Sequence, residues 1–299
     1  MKENTNKVSA TAKMCLYQLG EIGDEDAKML SEKLKLTLED TQNSTTTTAS
    51  NRHLQAAPTM MECRYATMMV MAEQSGCRTV VDLPCGYTPR AIQVAKKGMC
   101  YLGCDLPLVI EELCPAIEPL IDTPNAVSFV DVDATDYESL KKAFEGIEGP
   151  VCINTEGLLM YFSERQTLKF CENISRLLKR YGGCWITADP ESGIQYVLNF
   201  QAFFGADGLK EMAKAKHNVE AISESNVGKN SLIIKHGNKT RESIQEAIGI
   251  LASYDLKVER LTVADYMPPL KSVDGEMFAR IQEAMKKCCY WKMTVASVA

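Results

Sequence analysis

Between residues 79 and 180 the chain alternates short apolar runs with amphipathic stretches four times over, a pattern that leaves few folds open. The runs are 79–83, 99–104, 126–130 and 150–155, followed by helical patterns at 88–97, 107–120, 136–145 and 163–180. Strands apolar on both faces, joined by crossovers of this length, predict a parallel sheet covered by helices on each side. Ser163-Glu164-Arg165-Gln166 reads as a capping box, so the strand before it ends near Glu156. A fifth strand at 184–188 follows the Gly182-Gly183 turn and stops at Asp189-Pro190. A helix at 240–253, a strand at 257–262 and a last strand at 290–296 bring the count to seven, a doubly wound, Rossmann-like α/β sheet.

Regularity lapses over 190–240. Tyr196, Phe200, Phe203 and Phe204 sit there in a mostly helical pattern, and 231–234 reads as a strand. An insertion of this size after the fifth strand is a candidate lid. Upstream, residues 8–40 predict two short helices broken at Gly20 to Gly23, and the polar tract 41–50 predicts a mobile loop. A helix resumes near Pro58 and runs through Met60 to Glu73. The expected organisation is a helical cap over 1–75 and a ligand-binding core over 76–299 with the lid at 190–240.

With 299 residues, 45% of them hydrophobic, the chain can bury an ample core. A net charge of −6 gives no electrostatic footprint for nucleic acid or an anionic membrane. The 12 cysteines are scattered through apolar runs with no CxxC pair, which predicts reduced thiols in a cytoplasmic protein and no metal site. No apolar run reaches the roughly 18 residues that a membrane span requires.

Open parallel sheets bind ligands beyond the carboxyl ends of their strands. The first strand delivers Asp82-Leu83-Pro84-Cys85-Gly86 into a turn, where glycine lets backbone approach a ligand closely. The second ends at Asp105-Leu106, where a carboxylate can accept both hydroxyls of an adenosine ribose. The third ends at Asp133-Ala134, placed to receive an adenine amino group. Pro84 and Pro89 have no amide to donate, which weakens a diphosphate ligand and leaves S-adenosylmethionine, with no phosphate, as the favoured cofactor. Its methionine carboxylate needs a cation, and Arg64 and Arg90 both qualify.

The segments Val81-Asp82-Leu83-Pro84-Cys85-Gly86-Tyr87-Thr88-Pro89-Arg90 and Asn154-Thr155-Glu156-Gly157-Leu158-Leu159-Met160-Tyr161-Phe162 resemble the two signature segments of the leucine carboxyl methyltransferase family, which includes bacterial polyketide-type O-methyltransferases. The resemblance covers roughly residues 55–190 and 240–265. It implies a class I methyltransferase fold with the last strand antiparallel. It also implies that Asp82 and Gly86 belong to the cofactor loop, with Arg90 as the arginine after it and Arg64 as the family's early arginine. By the same token Asp105 is the ribose carboxylate, Asp133 the adenine contact and Glu156 the acid closing the fourth strand. Pro84 and Pro89 depart from the family's usual glycine and threonine.

The expected activity is methyl transfer from S-adenosylmethionine, giving S-adenosylhomocysteine, to a carboxyl or hydroxyl oxygen of a small molecule or protein acceptor. Two other readings stand beside it, a nicotinamide-dependent oxidoreductase and a catalytically silent cofactor-binding protein. Tyr161 is a candidate at the acceptor side, though an aromatic after a strand is more often packing, and so are Tyr196 and Phe200, whose helical spacing reads as core or lid packing first and substrate wall second. His53, His217 and His236 read as surface residues and Cys85 as structural, so no general base is singled out.

Overall fold

The computed structural model describes residues 2–37, 51–211 and 230–295, with the side chains of 2–9 and 51–54 outside the description. The predicted loop at 41–50, His217 and the middle of the 190–240 insertion therefore lie outside the described residues. The sheet has seven strands in the order β3-β2-β1-β4-β5-β7-β6. They are β1 (Thr79–Asp82), β2 (Cys100–Asp105), β3 (Val127–Asp131), β4 (Val151–Thr155), β5 (Gly183–Thr187), β6 (Leu256–Thr262) and β7 (Cys289–Val295). The first five run parallel, and β7 is antiparallel to both β5 and β6. This is the doubly wound, mostly parallel seven-stranded sheet with its last strand antiparallel that was expected above.

Strand order reverses between β1 and β4, and that switch point positions the site. Every residue of β1 and of β4 is buried, as near-continuous apolar runs covered on both faces require. The helices are α1 (Lys2–Glu21), α2 (Glu25–Lys33), α3 (Asn51–Gln74), α4 (Arg90–Lys96), α5 (Pro107–Ile117), α6 (Tyr137–Ala143), α7 (Glu164–Tyr181), α8 (Ser192–Phe204), α9 (Thr240–Ala252), α10 (Val263–Tyr266) and α11 (Gly275–Met285). The capping box at the start of α7 forms as expected, with Ser163 and Gln166 each satisfying the other's backbone. One hydrophobic cluster runs from Leu16 and Leu19 of α1 through the sheet to Trp291 and Met293 of β7.

Two sequence expectations are corrected, and one helix was missed. The helix expected to resume near Pro58 starts at Asn51 and passes through the proline. Proline removes one amide from the helical ladder there, and Thr59 Oγ1 donates to Gln55 O at 2.8 Å in the same turn. The strand expected at 231–234 is a turn and is not among the seven strands of the sheet. Its Leu232 and Ile234 are still buried, and Ile234 N donates to Pro190 O at 2.8 Å. Helix α11 was not anticipated, although Asp274 caps it and Met277, Ile281 and Met285 follow at helical spacing. The visible start of the insertion, α8, packs against α3 and α11 and buries most of its length.

Candidate functional site

Beyond the carboxyl ends of β1, β4 and β5, two arginines meet three carboxylates, with a fourth, Asp105, at the end of β2. Asp82 closes β1 and is completely buried. Its Oδ2 accepts from Arg90 Nη1 at 3.0 Å and from the Tyr101 hydroxyl at 2.9 Å, and its Oδ1 accepts from Asn154 Nδ2 at 3.2 Å. Burial raises the Asp82 carboxyl above its ordinary range, against the pull of Arg90, Tyr101 and Asn154. Arg90 opens α4, donates its other terminus to Glu156 Oε2 at 3.1 Å, and lies 4.8 Å over the Tyr65 ring. Burial opposes its charge, but Asp82 and Glu156 outweigh that and hold its pKa above the ordinary value.

Arg64, from the middle of α3, is held differently. Its Nε stands 3.5 Å from Glu156 Oε1 and its Nη2 3.5 Å from Asp189 Oδ1, longer than a charge-assisted hydrogen bond. Among the described residues its buried Nε makes no hydrogen bond. Burial works against the Arg64 charge, and Glu156 and Asp189 more than restore it. The Nε of Arg90 is likewise buried without a hydrogen bond among the described residues, but the two termini of Arg90 bond carboxylates at 3.0 and 3.1 Å, whereas both ion pairs of Arg64 are 3.5 Å long, so Arg64 is the more loosely held of the two.

The loop after β1 spends its amides internally. Leu83 N donates to Asn154 O, Cys85 N to Cys104 O and Thr88 N to Cys85 O. Gly86 N donates to Asp105 Oδ2 at 2.7 Å, and Gly86 takes a φ of +53°, a conformation that favours glycine. Pro84 and Pro89 have no amide, and α4 is only seven residues long. The loop therefore lacks the fan of amides that a pyrophosphate needs. Leu83 and Cys85 are buried, and burial drives the Cys85 thiol well above its usual pKa.

Asp105 ends β2 with its carboxylate shared between Gly86 N and Leu106 N, the latter at 2.7 Å. Burial lifts its pKa to about 6, opposed by those two backbone donors. Leu106 is 43% exposed, an apolar surface beside this carboxylate. Asp133, beyond β3, is exposed; its Oδ1 accepts from Thr135 N and Thr135 Oγ1, and the neighbouring Ala134 O accepts from Asn173.

The turn after β4, where Gly157 follows Glu156, is fixed by Asp189, which the sequence reading noted only as the stop of the fifth strand. Asp189 is fully buried and accepts from the amides of Gly157, Leu158 and Leu159 at 2.6, 2.8 and 2.8 Å. Its signal was the one that marked Asp82 and Asp105, an acid at a strand's carboxyl end. The turn carries Tyr161, whose phenol bonds Thr11 of α1 and is raised in pKa chiefly by burial. Tyr196 and Phe200 lie on α8 with ring centroids 4.8 Å apart, and Phe200 is 1% exposed, within the core. His236 is exposed.

Helix α1 reaches this site, a contact that no local pattern in the sequence announced. A Cβ placed on Gly86 would stand 3.7 Å from Ala12 Cβ. Lys13 pairs with Glu112 Oε2 at 2.5 Å and lies 5.1 Å over the Tyr87 ring. Among the described residues no group of three or more His, Cys, Asp or Glu side chains is arranged to hold a metal ion.

No protein-family model and no curated protein matches the chain. Solved structures with a similar fold include the methyltransferase domain of bacterial CtHen1, at 14% identity over 78% of this chain and 97% of that one, with a TM-score of 0.48. An O-methyltransferase family protein from Burkholderia thailandensis matches at 14% identity over 95% of this chain and 72% of its own, TM-score 0.43. Magnesium protoporphyrin IX methyltransferase from Synechocystis PCC 6803, with bound S-adenosylhomocysteine, matches at 11% identity over 85% and 92%, TM-score 0.46.

Proposed function

We propose that the chain is an S-adenosylmethionine-dependent methyltransferase acting on an oxygen acceptor, a carboxyl or a hydroxyl. The observation that carries this reading is the incompletely coordinated Arg64, set between Glu156 and Asp189 at the switch point, beside a β1 loop whose amides are already engaged. That combination favours a ligand with a carboxylate and cationic centres over one with phosphates. A pyrophosphate would meet prolines and four carboxylates, which weighs against the nicotinamide-dependent reading.

In this reading Arg64 binds the methionine carboxylate and Glu156 faces the ammonium beside it. Asp105 accepts the ribose hydroxyls, Leu106 packs on the adenine, and Asp133 with Ala134 receives its polar edge. When bound, the cofactor supplies a sulfonium-activated methyl group. The chain's part is to align the acceptor oxygen roughly 3 Å from that carbon and to exclude water. Tyr161, from the Asp189-bound turn, and α1 wall the cleft. A carboxylate acceptor is already ionised and needs no base, which agrees with a site whose histidines read as surface residues.

The finer affiliation with the leucine carboxyl methyltransferase family is supported by its two signature segments converging on one ion-pair network, Asp82–Arg90–Glu156. A reducing, cytoplasmic setting is supported by cysteines that are free throughout. A partner other than nucleic acid is supported by the charge of −6.

Calorimetric titration with S-adenosylmethionine and S-adenosylhomocysteine tests the reading, followed by transfer of labelled methyl to a panel of carboxylates, phenols and alcohols. Absence of binding to either ligand overturns it. Binding without transfer to any member favours the catalytically silent alternative.

A further inference from the structure

Asp189 touches both halves of the proposed site for the methionine end of the cofactor, Arg64 for its carboxylate and the turn of Glu156 for its ammonium. Its oxygens accept three successive amides of the turn that begins beside Glu156, at 2.6–2.8 Å, and its Oδ1 stands 3.5 Å from Arg64 Nη2. The same turn is held on its carbonyl side by the buried Asn230, whose Nδ2 donates to Leu159 O at 2.7 Å and to Phe162 O at 3.0 Å. The backbone of the turn is therefore clamped from two sides, and three amide donors already satisfy a buried carboxylate. A purely structural acid would be complete at that point. Arg64 nevertheless lies at a distance that attracts its charge without using up its donors.

We infer that Asp189 is a positioning residue for Arg64. It holds the guanidinium electrostatically at the switch point, at 3.5 Å and without a short hydrogen bond, so that Arg64 can turn its charge to an incoming carboxylate, and through the clamped turn it holds Glu156 on the opposite side. This role rests on the methyltransferase reading above. Removing the Asp189 charge lets Arg64 collapse onto Glu156, so ligand affinity falls through Arg64 and not through the turn.

A double-mutant cycle on S-adenosylhomocysteine affinity tests this, with Asp189→Asn, Arg64→Met, both together, and Asn230→Ala. Each of the first two is expected to weaken binding by about tenfold or more, and the double variant to bind no more weakly than Arg64→Met alone. The KM for S-adenosylmethionine should rise in Asp189→Asn while kcat changes far less. Asn230→Ala loosens the turn without touching Arg64; it should lower the melting temperature and leave affinity within about threefold. Where Asp189→Asn does not fold, Asp189→Glu reads the same cycle, since the longer carboxylate displaces Arg64. Fully additive losses, or an affinity loss in Asn230→Ala equal to that in Asp189→Asn, overturn the positioning role alone. Wild-type protein that binds no S-adenosylhomocysteine overturns the cofactor reading and this role with it.

Discussion

Arg90 and Asp82 form an ion pair of 3.0 Å whose side chains are 2% and 1% exposed, across the loop that joins β1 to α4. Removing one partner of such a pair leaves a buried charge without its counter-ion, whereas replacing both by apolar groups avoids that penalty. Arg90→Met is therefore expected to destabilise the protein by about 3–5 kcal/mol, and the double change Arg90→Met with Asp82→Leu by less than the two single losses together. Urea unfolding of the four proteins measures this. Equal and additive losses would show that the pair is not coupled.

The raised pKa of Asp105 makes cofactor affinity depend on pH. A carboxylate that accepts ribose hydroxyls must be ionised, and its pKa is lifted to about 6 by burial. Between about pH 8 and pH 5 the ionised fraction falls about tenfold, and affinity for S-adenosylhomocysteine should fall with it. Stability runs the other way. A folded-state pKa above the ordinary value of 3.8 gives a contribution that is present at low pH and lost as pH rises through about 6. Weaker binding at acid pH is thus not unfolding caused by this group, and circular dichroism recorded beside calorimetry separates the two. A flat affinity across this range would remove Asp105 from the ribose site.

The sheet was legible because buried parallel strands leave uninterrupted apolar runs: 79–83 was expected and Thr79–Asp82 is found. The run at 231–234 has the same composition but is not among the seven strands of the sheet; β propensity depends on the neighbour as much as on the residue. In the site, Asp82, Asp105 and Glu156 were readable from their place at strand ends, and Arg90 from its place after the loop that follows β1. Which arginine is held more loosely was not, because that depends on how Glu156 divides its oxygens between Arg90 and Arg64 while Asp82 binds the first and Asp189 faces the second. The approach of Ala12 to Gly86 joins segments with no shared local pattern.

Cys85 lies inside the β1 loop, where a reactive thiol would suggest redox chemistry. Its pKa is pushed well above the usual thiol value, first by burial and then by Asp105 and Asp82. Only the thiolate is nucleophilic, so Cys85 should resist iodoacetamide in the folded protein at neutral pH and react after unfolding. Mass spectrometry of labelled peptides reads the outcome. Rapid labelling of Cys85 in the native state would contradict the burial that the structure assigns to it.

Two residues beyond Asp189, Glu191 is equally buried but has a different set of partners, on β6 and β7. Its Oε1 accepts from Arg260 Nε at 2.7 Å and from Trp291 Nε1 at 2.7 Å, and its Oε2 accepts from Cys289 N at 3.0 Å, tying the end of β5 to β6 and β7. Arg260 is 33% exposed, so solvent screens part of that attraction, and the hydrogen bonds to Trp291 and Cys289 carry much of the remainder. Glu191→Gln keeps one carbonyl oxygen and loses the charge, and is expected to lower stability by about 1–3 kcal/mol. Because none of these partners is in the Arg64 cluster, affinity for S-adenosylhomocysteine should remain within about twofold. Thermal unfolding and calorimetry on the same preparation test both halves. A loss of affinity comparable to that of Asp189→Asn would mean that the end of β5 acts as a single unit, with the division of labour between its two acids abandoned.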